Sequence, residues 1–381
     1  MNKEEYLKSA NDMIYLIRCI VNDKKPSSDK VENINLENLY TVSSQHMLTS
    51  ITAMALESAG IEDNSFTQAK GKAFRKIAVL DIERALLFQY LDSKGIWYMP
   101  LKGIVMKDYY PEYGMRQMSD NDILFDPKYR PAVKEYFESC GYETDEYGEG
   151  NHDVYFKAPV SNFEMHVGLF HQKHAKRFPT IYNYYQDVKD RLIKSESGSE
   201  YHFGREDFYL FMTAHEYKHY YGGGTGLRSV LDTYMFMKKF GDTLDMKYIE
   251  GELEKLGIAE FEHESRKLAM NLFGRAAPTG KNGRAANSLN EEERSMFEYI
   301  VFSGTYGNKE NAVVNKINRE GGKLKYVWGR IFPPLEKLKS DYPVFFKYKI
   351  LIVFLPFYRF IKILTVSKKR VKRELKALSK H

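Results

Sequence analysis

The chain has 381 residues, of which 43% are hydrophobic and 28% charged, and these proportions exclude a disordered protein and leave room for two or three compact units. The net charge of +6 lies entirely in residues 367–381, so the rest of the chain is neutral overall and lacks the basic surface that long DNA or RNA requires. Two cysteines without metal-type spacing, and a charged N-terminus without an apolar signal segment, predict a cytoplasmic protein.

Residues 1–95 carry apolar side chains at helical spacing, which predicts a helical N-terminal region. Pro26 and Gly60 mark breaks between its helices, because both residues interrupt regular structure. The predicted helices cover residues 6–20, 42–58 and 66–91.

Residues 96–170 change to short alternating strands around a single helix over 131–140, and this order predicts a small mixed sheet with helices packed on it. The expected fold class is therefore α/β, in the α+β sense, with a small mixed-sheet core between helical N-terminal and C-terminal regions. The strands are expected at residues 96–101, 118–125, 152–158 and 162–167.

Beyond the sheet, the chain is predicted to be helical in two parts separated by a linker. Residues 205–270 return to helical periodicity, and we expect the helical region over 171–273 to close over a cleft beside the sheet. Residues 274–287 are rich in Gly, Ala and Asn, which indicates a loop or linker. Residues 288–381 form a helical C-terminal region with a basic tail, and the pattern Ser288–Glu291 predicts a capping box at its start.

Two aspartates share one face of the predicted strand over 118–125. Side chains alternate along a strand, so Asp120 and Asp122 point the same way, about 6–7 Å apart along the backbone, and can converge on a divalent cation such as Mg²⁺. The later strand over 162–167 can bring a third carboxylate, Glu164, to the same place. About seven acid-x-acid pairs are expected by chance among 51 acidic residues, so a solvated strand end remains the alternative.

Four motifs, in this order, resemble the uncharacterised nucleotidyltransferase family of the DNA polymerase beta-like nucleotidyltransferase superfamily, over about residues 40–240. They are Leu101-Lys102-Gly103, Tyr109-Tyr110-Pro111, Arg116-Gln117-Met118-Ser119-Asp120-Asn121-Asp122 and Glu164-Met165-His166. The resemblance implies that Asp120, Asp122 and Glu164 are the catalytic and metal-binding residues and that Mg²⁺, or Mn²⁺, is the cofactor. It also implies that the turn at Gly103 lets the backbone approach a phosphate.

The same resemblance implies the reaction, which is transfer of a nucleoside monophosphate from an NTP such as ATP to an acceptor hydroxyl with release of pyrophosphate. The acceptor stays open between a small molecule, a sugar and a protein side chain, and the neutral body of the chain makes a long nucleic acid unexpected. A catalytically inactive nucleotide-binding module with the same fold is an alternative.

Four cations are candidates for binding nucleotide phosphates, and each has a structural alternative. Lys102 can simply extend from a strand end into solvent, and Arg116 can form a structural ion pair with Asp120. Lys218 and Arg228 can be ordinary exposed helix cations, which are common. His166 shares a strand face with Glu164 and can orient a carboxylate or the acceptor, or be an ordinary half-buried histidine. The four candidates are Lys102, Arg116, Lys218 and Arg228.

His215-Glu216-Tyr217-Lys218-His219 matches the zinc-peptidase pattern H-E-x-x-H, in which two histidines four residues apart share a helix face. A zinc metallopeptidase is therefore a second alternative, although the third ligand of one large peptidase group would fall on Thr225. The resembled nucleotidyltransferase family also carries a histidine pair here, followed by an arginine and an aspartate that match Arg228 and Asp232. This match implies supporting roles for His215, His219 and Asp232.

The stretch over 342–366 is aromatic, apolar and basic. Its uncharged segment, 350–358, is too short to span a bilayer, which takes about 20 residues. Packing as ordinary core is one interpretation, and weak peripheral contact with an anionic membrane, together with the basic tail, is the other.

Overall fold

The computed structural model describes residues 1–274 and 289–305, together with Leu355 and Tyr358. The described residues fall into two compact units. One contains Met1–Lys218 with Gly226–Val301, and the other contains His219–Thr225 with the described residues from Phe302 onward. The predicted linker lies outside the described residues, except for its first residue. The aromatic and basic C-terminal stretch also lies outside them, except for Leu355 and Tyr358.

The N-terminal region is helical, as its periodicity predicts. A capping box starts the first helix, because Asn2 and Glu5 each accept a hydrogen bond from the other's backbone N–H. The predicted single helix over 42–58 is wrong: Met47 adopts φ 53°, and Leu48 N–H bonds to Ser43 O at 2.8 Å, which ends one helix before the next begins. The helices are α1 (Lys3–Ile20), α2 (Ser28–Val31), α3 (Leu36–Gln45), α4 (Thr49–Ser58) and α5 (Asn64–Ser93).

The sheet that follows has five strands, and it confirms the predicted mixed sheet with helices packed on it. Its strand order is β1-β2-β5-β4-β3, and only β2 and β5 run parallel to each other. The strand β3 was not predicted, because its residues are mainly charged and do not alternate between apolar and polar. A strand at the edge of the sheet can be polar in this way. The elements are β1 (Tyr98–Pro100), α6 (Gly103–Met106), β2 (Asn121–Phe125), α7 (Arg130–Ser139), β3 (Glu143–Glu146), β4 (His152–Lys157) and β5 (Ser161–His166).

One face of this sheet is apolar and packs against α5 and α7. Its side chains alternate with those of the opposite face, so Ile123, Phe163 and Met165 enter the core while their neighbours Asp122 and Glu164 point away from it. The core is built mainly from these residues of the sheet and the two helices: Ile77, Leu80, Leu87, Leu91, Ile123, Phe125, Val133, Phe137, Tyr155, Phe163 and Met165. The sheet therefore presents a polar face on the side away from α5 and α7.

The remaining elements are mostly helical, as predicted. The predicted capping box occurs two residues later than expected, because Asn290 and Glu293 exchange hydrogen bonds of 2.9 and 2.8 Å. The elements are α8 (Pro179–Tyr184), β6 (Leu192–Lys194), β7 (Tyr201–Phe203), α9 (Arg205–Gly222), α10 (Leu227–Phe240), α11 (Met246–Leu256), α12 (Ala259–Phe273) and α13 (Glu291–Ser303). Short 3₁₀ turns cover Lys107–Tyr109, Pro127–Tyr129, Gln172–His174, Val188–Arg191 and Gly241–Thr243. Among the helices of the described ranges, none has the length and apolar character needed to cross a bilayer.

Candidate functional site

The polar face of the sheet collects the three predicted carboxylates. The parallel register of β2 and β5 pairs Asp122 with Glu164. Asp120 lies just before β2, close enough to Asp122 and Glu164 for their charges to raise its pKa. Leu101 N–H donates to Asp122 O at 2.9 Å, so the turn at Lys102 also begins beside this position. The three carboxylates and Lys102 therefore meet at one end of β2.

Asp122 is the most tightly held of the carboxylates. Its Oδ1 contacts Lys102 Nζ at 3.0 Å and His166 Nε2 at 2.8 Å, and only 9% of its side chain is exposed. Burial by itself would raise the pKa of Asp122, but Lys102 and His166 hold that pKa well below its usual range. Asp122 is therefore an anion at neutral pH.

Asp120 has the opposite electrostatic environment. Burial, followed by the negative charges of Asp122 and Glu164, raises its pKa from 3.8 to about 7. In the absence of a bound cation, Asp120 therefore holds a proton more readily than an ordinary aspartate does. Crowded oxygen ligands that repel one another are a favourable environment for a divalent cation, since the cation relieves the repulsion.

Lys102 and Gly103 form a constrained turn. Lys102 adopts φ 41°, which is unfavourable for a residue with a side chain, and such strain is often found at functional sites. A Cβ atom on Gly103 would lie 2.7 Å from Arg116 Nη1 and 2.9 Å from Met118 Sδ. Glycine therefore leaves room for the ends of the Arg116 and Met118 side chains, and the approach of this turn to a phosphate stays a prediction.

Arg116 is engaged with the helical region. Its Nε and Nη2 each donate to Asp232 at 2.8 Å, and Nη1 lies 3.3 Å from Met118 Sδ. Tyr110 OH donates to the same Asp232 at 2.7 Å. The ion pair of Arg116 is therefore formed with Asp232 of α10 and not with Asp120, and it fastens the segment before β2 to α10.

Two other predicted cations, Arg228 and Lys218, lie around the carboxylates. Arg228 Nη1 contacts Met47 Sδ at 3.2 Å and Gln117 O at 3.4 Å. Burial and the nearby charge of Lys102 lower the pKa of Lys218 to about 7, and its Nζ lies 5.7 Å from the centre of the Phe170 ring. In the described part of the chain, Lys218 has no carboxylate within ion-pair distance.

Two residues near the carboxylates were missed by sequence analysis. Lys76 on α5 is close enough for Asp120 to oppose the lowering of its pKa by burial. His152 on β4 lies opposite His166 in the antiparallel register, and its Nε2 is 3.9 Å from Glu164 Oε2. No local pattern in the sequence places Lys76 near the carboxylates. His152 could have been found, because it begins an alternating strand next to the strand that carries Glu164.

A family model described as "Uncharacterised nucleotidyltransferase" matches residues 32–274. The chain belongs to this family. Neither a curated protein nor a solved structure matches the chain. The matched segment contains all of the five-stranded sheet, the three carboxylates and the surrounding cations. Membership supports nucleotidyl transfer as the general function of the chain.

In this member of the nucleotidyltransferase family, the H-E-x-x-H pattern on α9 does not build a metal site within the described residues. Glu216 is buried, and burial together with Asp232 raises its pKa to about 8, so it lies on the α10 side of the helix. The described residues contain one group of three metal-ligating side chains close enough to share an ion, and neither His215 nor His219 belongs to it. The peptidase alternative therefore has no third ligand there.

The pKa of Asp120 predicts a pH dependence for the stability of the metal-free protein. Between pH 4 and 7 the folded state holds more protons on Asp120 than the unfolded state does, so the contribution of Asp120 to the free energy of unfolding falls as pH rises and levels off above 7. Histidines with lowered pKa, such as His152 and His174, contribute the opposite slope. The measurement is therefore the difference in the free energy of unfolding between wild type and D120N at each pH, obtained from urea unfolding in EDTA.

At pH 5 the free energy of unfolding of Asp120→Asn should be lower than that of wild type. At pH 8 this deficit should have disappeared. Lys218, whose pKa is lowered to about 7, acts mainly above this window. A surface control, Asp187→Asn, should parallel wild type throughout. A constant difference between D120N and wild type from pH 4 to 8 would show that the Asp120 pKa is not raised.

Proposed function

We propose that the chain transfers a nucleoside monophosphate from an NTP such as ATP to an acceptor hydroxyl and releases pyrophosphate. The supporting observation is the convergence of Asp120, Asp122 and Glu164 on the polar face of β2 and β5, in a chain of the nucleotidyltransferase family. A bond forms between the acceptor oxygen and the α-phosphorus, and the bond from that phosphorus to the bridging oxygen of pyrophosphate breaks.

The carboxylates fit the divalent cation that this chemistry uses. Hard oxygen ligands suit Mg²⁺ and Mn²⁺, and the pKa of Asp120 is raised first by burial and then by the negative charges of Asp122 and Glu164, which a cation would offset. Asp120, Asp122 and Glu164 would hold it. Bound there, the ion would lower the pKa of the acceptor hydroxyl and neutralise charge on the leaving pyrophosphate.

The protein itself supplies a base and a position for the phosphates. Glu164 is the proposed acceptor of the hydroxyl proton, because 27% of its side chain is accessible, against 9% for Asp122. Lys102, Lys218 and Arg228 are the proposed phosphate ligands. Lys218 is the strongest of these candidates, since a partly buried ammonium without a carboxylate partner in the described chain is suited to an anionic ligand.

The cationic environment of Lys218 extends toward the 3₁₀ turn at Gln172–His174. Burial and the charges of Lys218 and Lys173 lower the pKa of His174 to about 4, which indicates that these cations lie near one another. An NTP carries up to four negative charges on its phosphates and would offset this repulsion. We propose that the triphosphate lies on this side of the carboxylates and that a small molecule, sugar or protein side chain supplies the hydroxyl.

Lys218→Met is expected to weaken NTP binding by about 10-fold to 100-fold, because a charge-assisted hydrogen bond contributes about 1.5–3 kcal/mol. Methionine retains the contact with Phe170 and removes only the charge. The dissociation constant of a non-hydrolysable NTP, measured by calorimetry with Mg²⁺, tests this. As the matched control, Lys189→Met removes an ammonium that lies over the Trp97 ring, and it should keep the wild-type affinity.

The reaction itself is tested by incubating the protein with each NTP, Mg²⁺ and candidate acceptors, and by measuring pyrophosphate and the mass of the modified acceptor. Pyrophosphate release that depends on Mg²⁺ and is lost in Glu164→Gln supports transfer. Tight Mg²⁺-dependent NTP binding, with no release of pyrophosphate from the NTP in the presence of any acceptor, would instead favour the inactive nucleotide-binding module.

A further inference from the structure

We propose that His152, Glu164 and His166 form a second cation position, one that binds a first-row transition-metal ion of the zinc type. His152 Nε2 lies 3.9 Å from Glu164 Oε2, and His166 Nε2 lies 3.6 Å from the same oxygen. One ligand atom from each of the three residues lies within 4.8 Å of the others. Asp120 is not a member of this group, so the position differs from the proposed magnesium site although Glu164 is common to both.

The backbone of the sheet holds these three side chains together. His152 and His166 are direct partners in the antiparallel pair β4 and β5, and Glu164 precedes His166 by two residues, on the same face. All three therefore leave the sheet in one direction from adjacent strands. Their convergence depends on sheet register and needs no rearrangement of a loop.

The spacing of the ligand atoms is near that of a metal site. Two ligands at about 2.1 Å from a tetrahedral ion lie about 3.4 Å apart. The distances of 3.6 and 3.9 Å shorten to this value with small rotations of the side chains. Asp122 Oδ1, 2.8 Å from His166 Nε2, is close enough to act as a fourth ligand once His166 Nε2 binds the ion.

The ligand types select the class of ion. Imidazole nitrogen favours zinc, cobalt, iron and copper, whereas Mg²⁺ takes oxygen ligands almost exclusively. Two histidines and one glutamate are also the ligand set of several zinc enzymes, with a further position left open. The Nδ1 atoms of His152 and His166 are buried and have no hydrogen-bond partner in the described part of the chain, so both rings direct their polar contacts toward Glu164 and Asp122.

This assignment changes the meaning of bound zinc in the protein. Stoichiometric zinc would therefore not by itself indicate a peptidase, since His152 and His166 account for it without the α9 histidines. Any part that this ion plays in turnover rests on the proposed function, because Glu164 serves both positions. Binding of the ion, however, is measured without turnover.

The test is titration of the full-length, metal-free protein with Co²⁺, whose visible absorption reports nitrogen ligation, and then with competing Zn²⁺. Wild type is expected to bind one Co²⁺ per chain and to release it to Zn²⁺. His152→Ala and Glu164→Gln should each weaken Co²⁺ binding by more than about 100-fold, because loss of a ligand exceeds the 10-fold to 100-fold effect of an outer-shell change. Both side chains are about one-quarter exposed, at 28% and 27%, so the variants are expected to fold.

Matched controls separate this position from other histidines. His202→Ala removes an exposed imidazole from β7, and the double variant His215→Ala/His219→Ala removes the α9 pair; both should keep wild-type Co²⁺ binding. Asp120→Asn should also keep it while losing transfer. Unchanged Co²⁺ affinity in His152→Ala, or no Co²⁺ binding by wild type, would overturn the inference. A wild-type protein that binds Co²⁺ through His152 but transfers no nucleotide would instead overturn only the proposed function.

Discussion

Asp120→Asn and Asp122→Asn are each expected to lower the rate of Mg²⁺-dependent nucleotidyl transfer by more than about 100-fold, since even outer-shell changes at metal sites cost 10-fold to 100-fold. Amidation removes the negative charge that a hard cation requires and barely changes side-chain volume. The readout is pyrophosphate release under single-turnover conditions with whichever NTP and acceptor the wild type uses. Wild-type turnover in both variants would show that these carboxylates are not the metal ligands.

The two variants should differ in stability although both lose activity. Asp122→Asn leaves the partly buried ammonium of Lys102 without the 3.0 Å ion pair and weakens the contact with His166, so the melting temperature of this variant should fall. Asp120→Asn removes a charge that is repelled by Asp122 and Glu164, so its stability at pH 8 should equal or exceed that of wild type. Thermal unfolding in EDTA measures both. An equal loss in the two variants would contradict the separate environments assigned to them.

Asp232→Ala is expected to lower the free energy of unfolding by about 3–5 kcal/mol. The variant leaves the Arg116 guanidinium, whose side chain is only 6% exposed, without its two 2.8 Å hydrogen bonds, and it also removes the acceptor of Tyr110 OH. An unpaired buried charge costs much more than the net contribution of the pair. Urea unfolding followed by far-UV circular dichroism gives the magnitude.

A surface ion pair supplies the comparison for Asp232. Lys134 and Glu138 lie 3.6 Å apart on α7, and Glu138→Ala, which leaves Lys134 over the Tyr147 ring, should change stability by no more than about 0.5 kcal/mol. A loss below about 1 kcal/mol in Asp232→Ala would mean that Arg116 finds another partner or reaches solvent. The same variant should raise the dissociation constant for an NTP only indirectly, because Asp232 holds the segment before β2 and is not itself a proposed phosphate ligand.

Sequence periodicity alone determined the elements whose signals are local. The alternation of side chains along the predicted strand over 118–125 places Asp120 and Asp122 on one face, and the helical spacing over 66–91 predicts the helix that α5 confirms. The order of the four motifs along the chain indicated the family, and the match over residues 32–274 confirms it. Local patterns failed where a backbone break left the periodicity unchanged, as at Met47 between α3 and α4.

Only the tertiary structure decided which of these residues meet. Asp122 lies beside Glu164 because β2 and β5 pair in parallel, and His152 joins them because β4 pairs with β5; strand register depends on contacts across the whole sheet. Arg116 likewise finds its carboxylate 116 residues away, on α10, and not four residues away at Asp120. A pairing between distant segments follows from how the core is packed, and no local pattern in the amino-acid sequence carries that information.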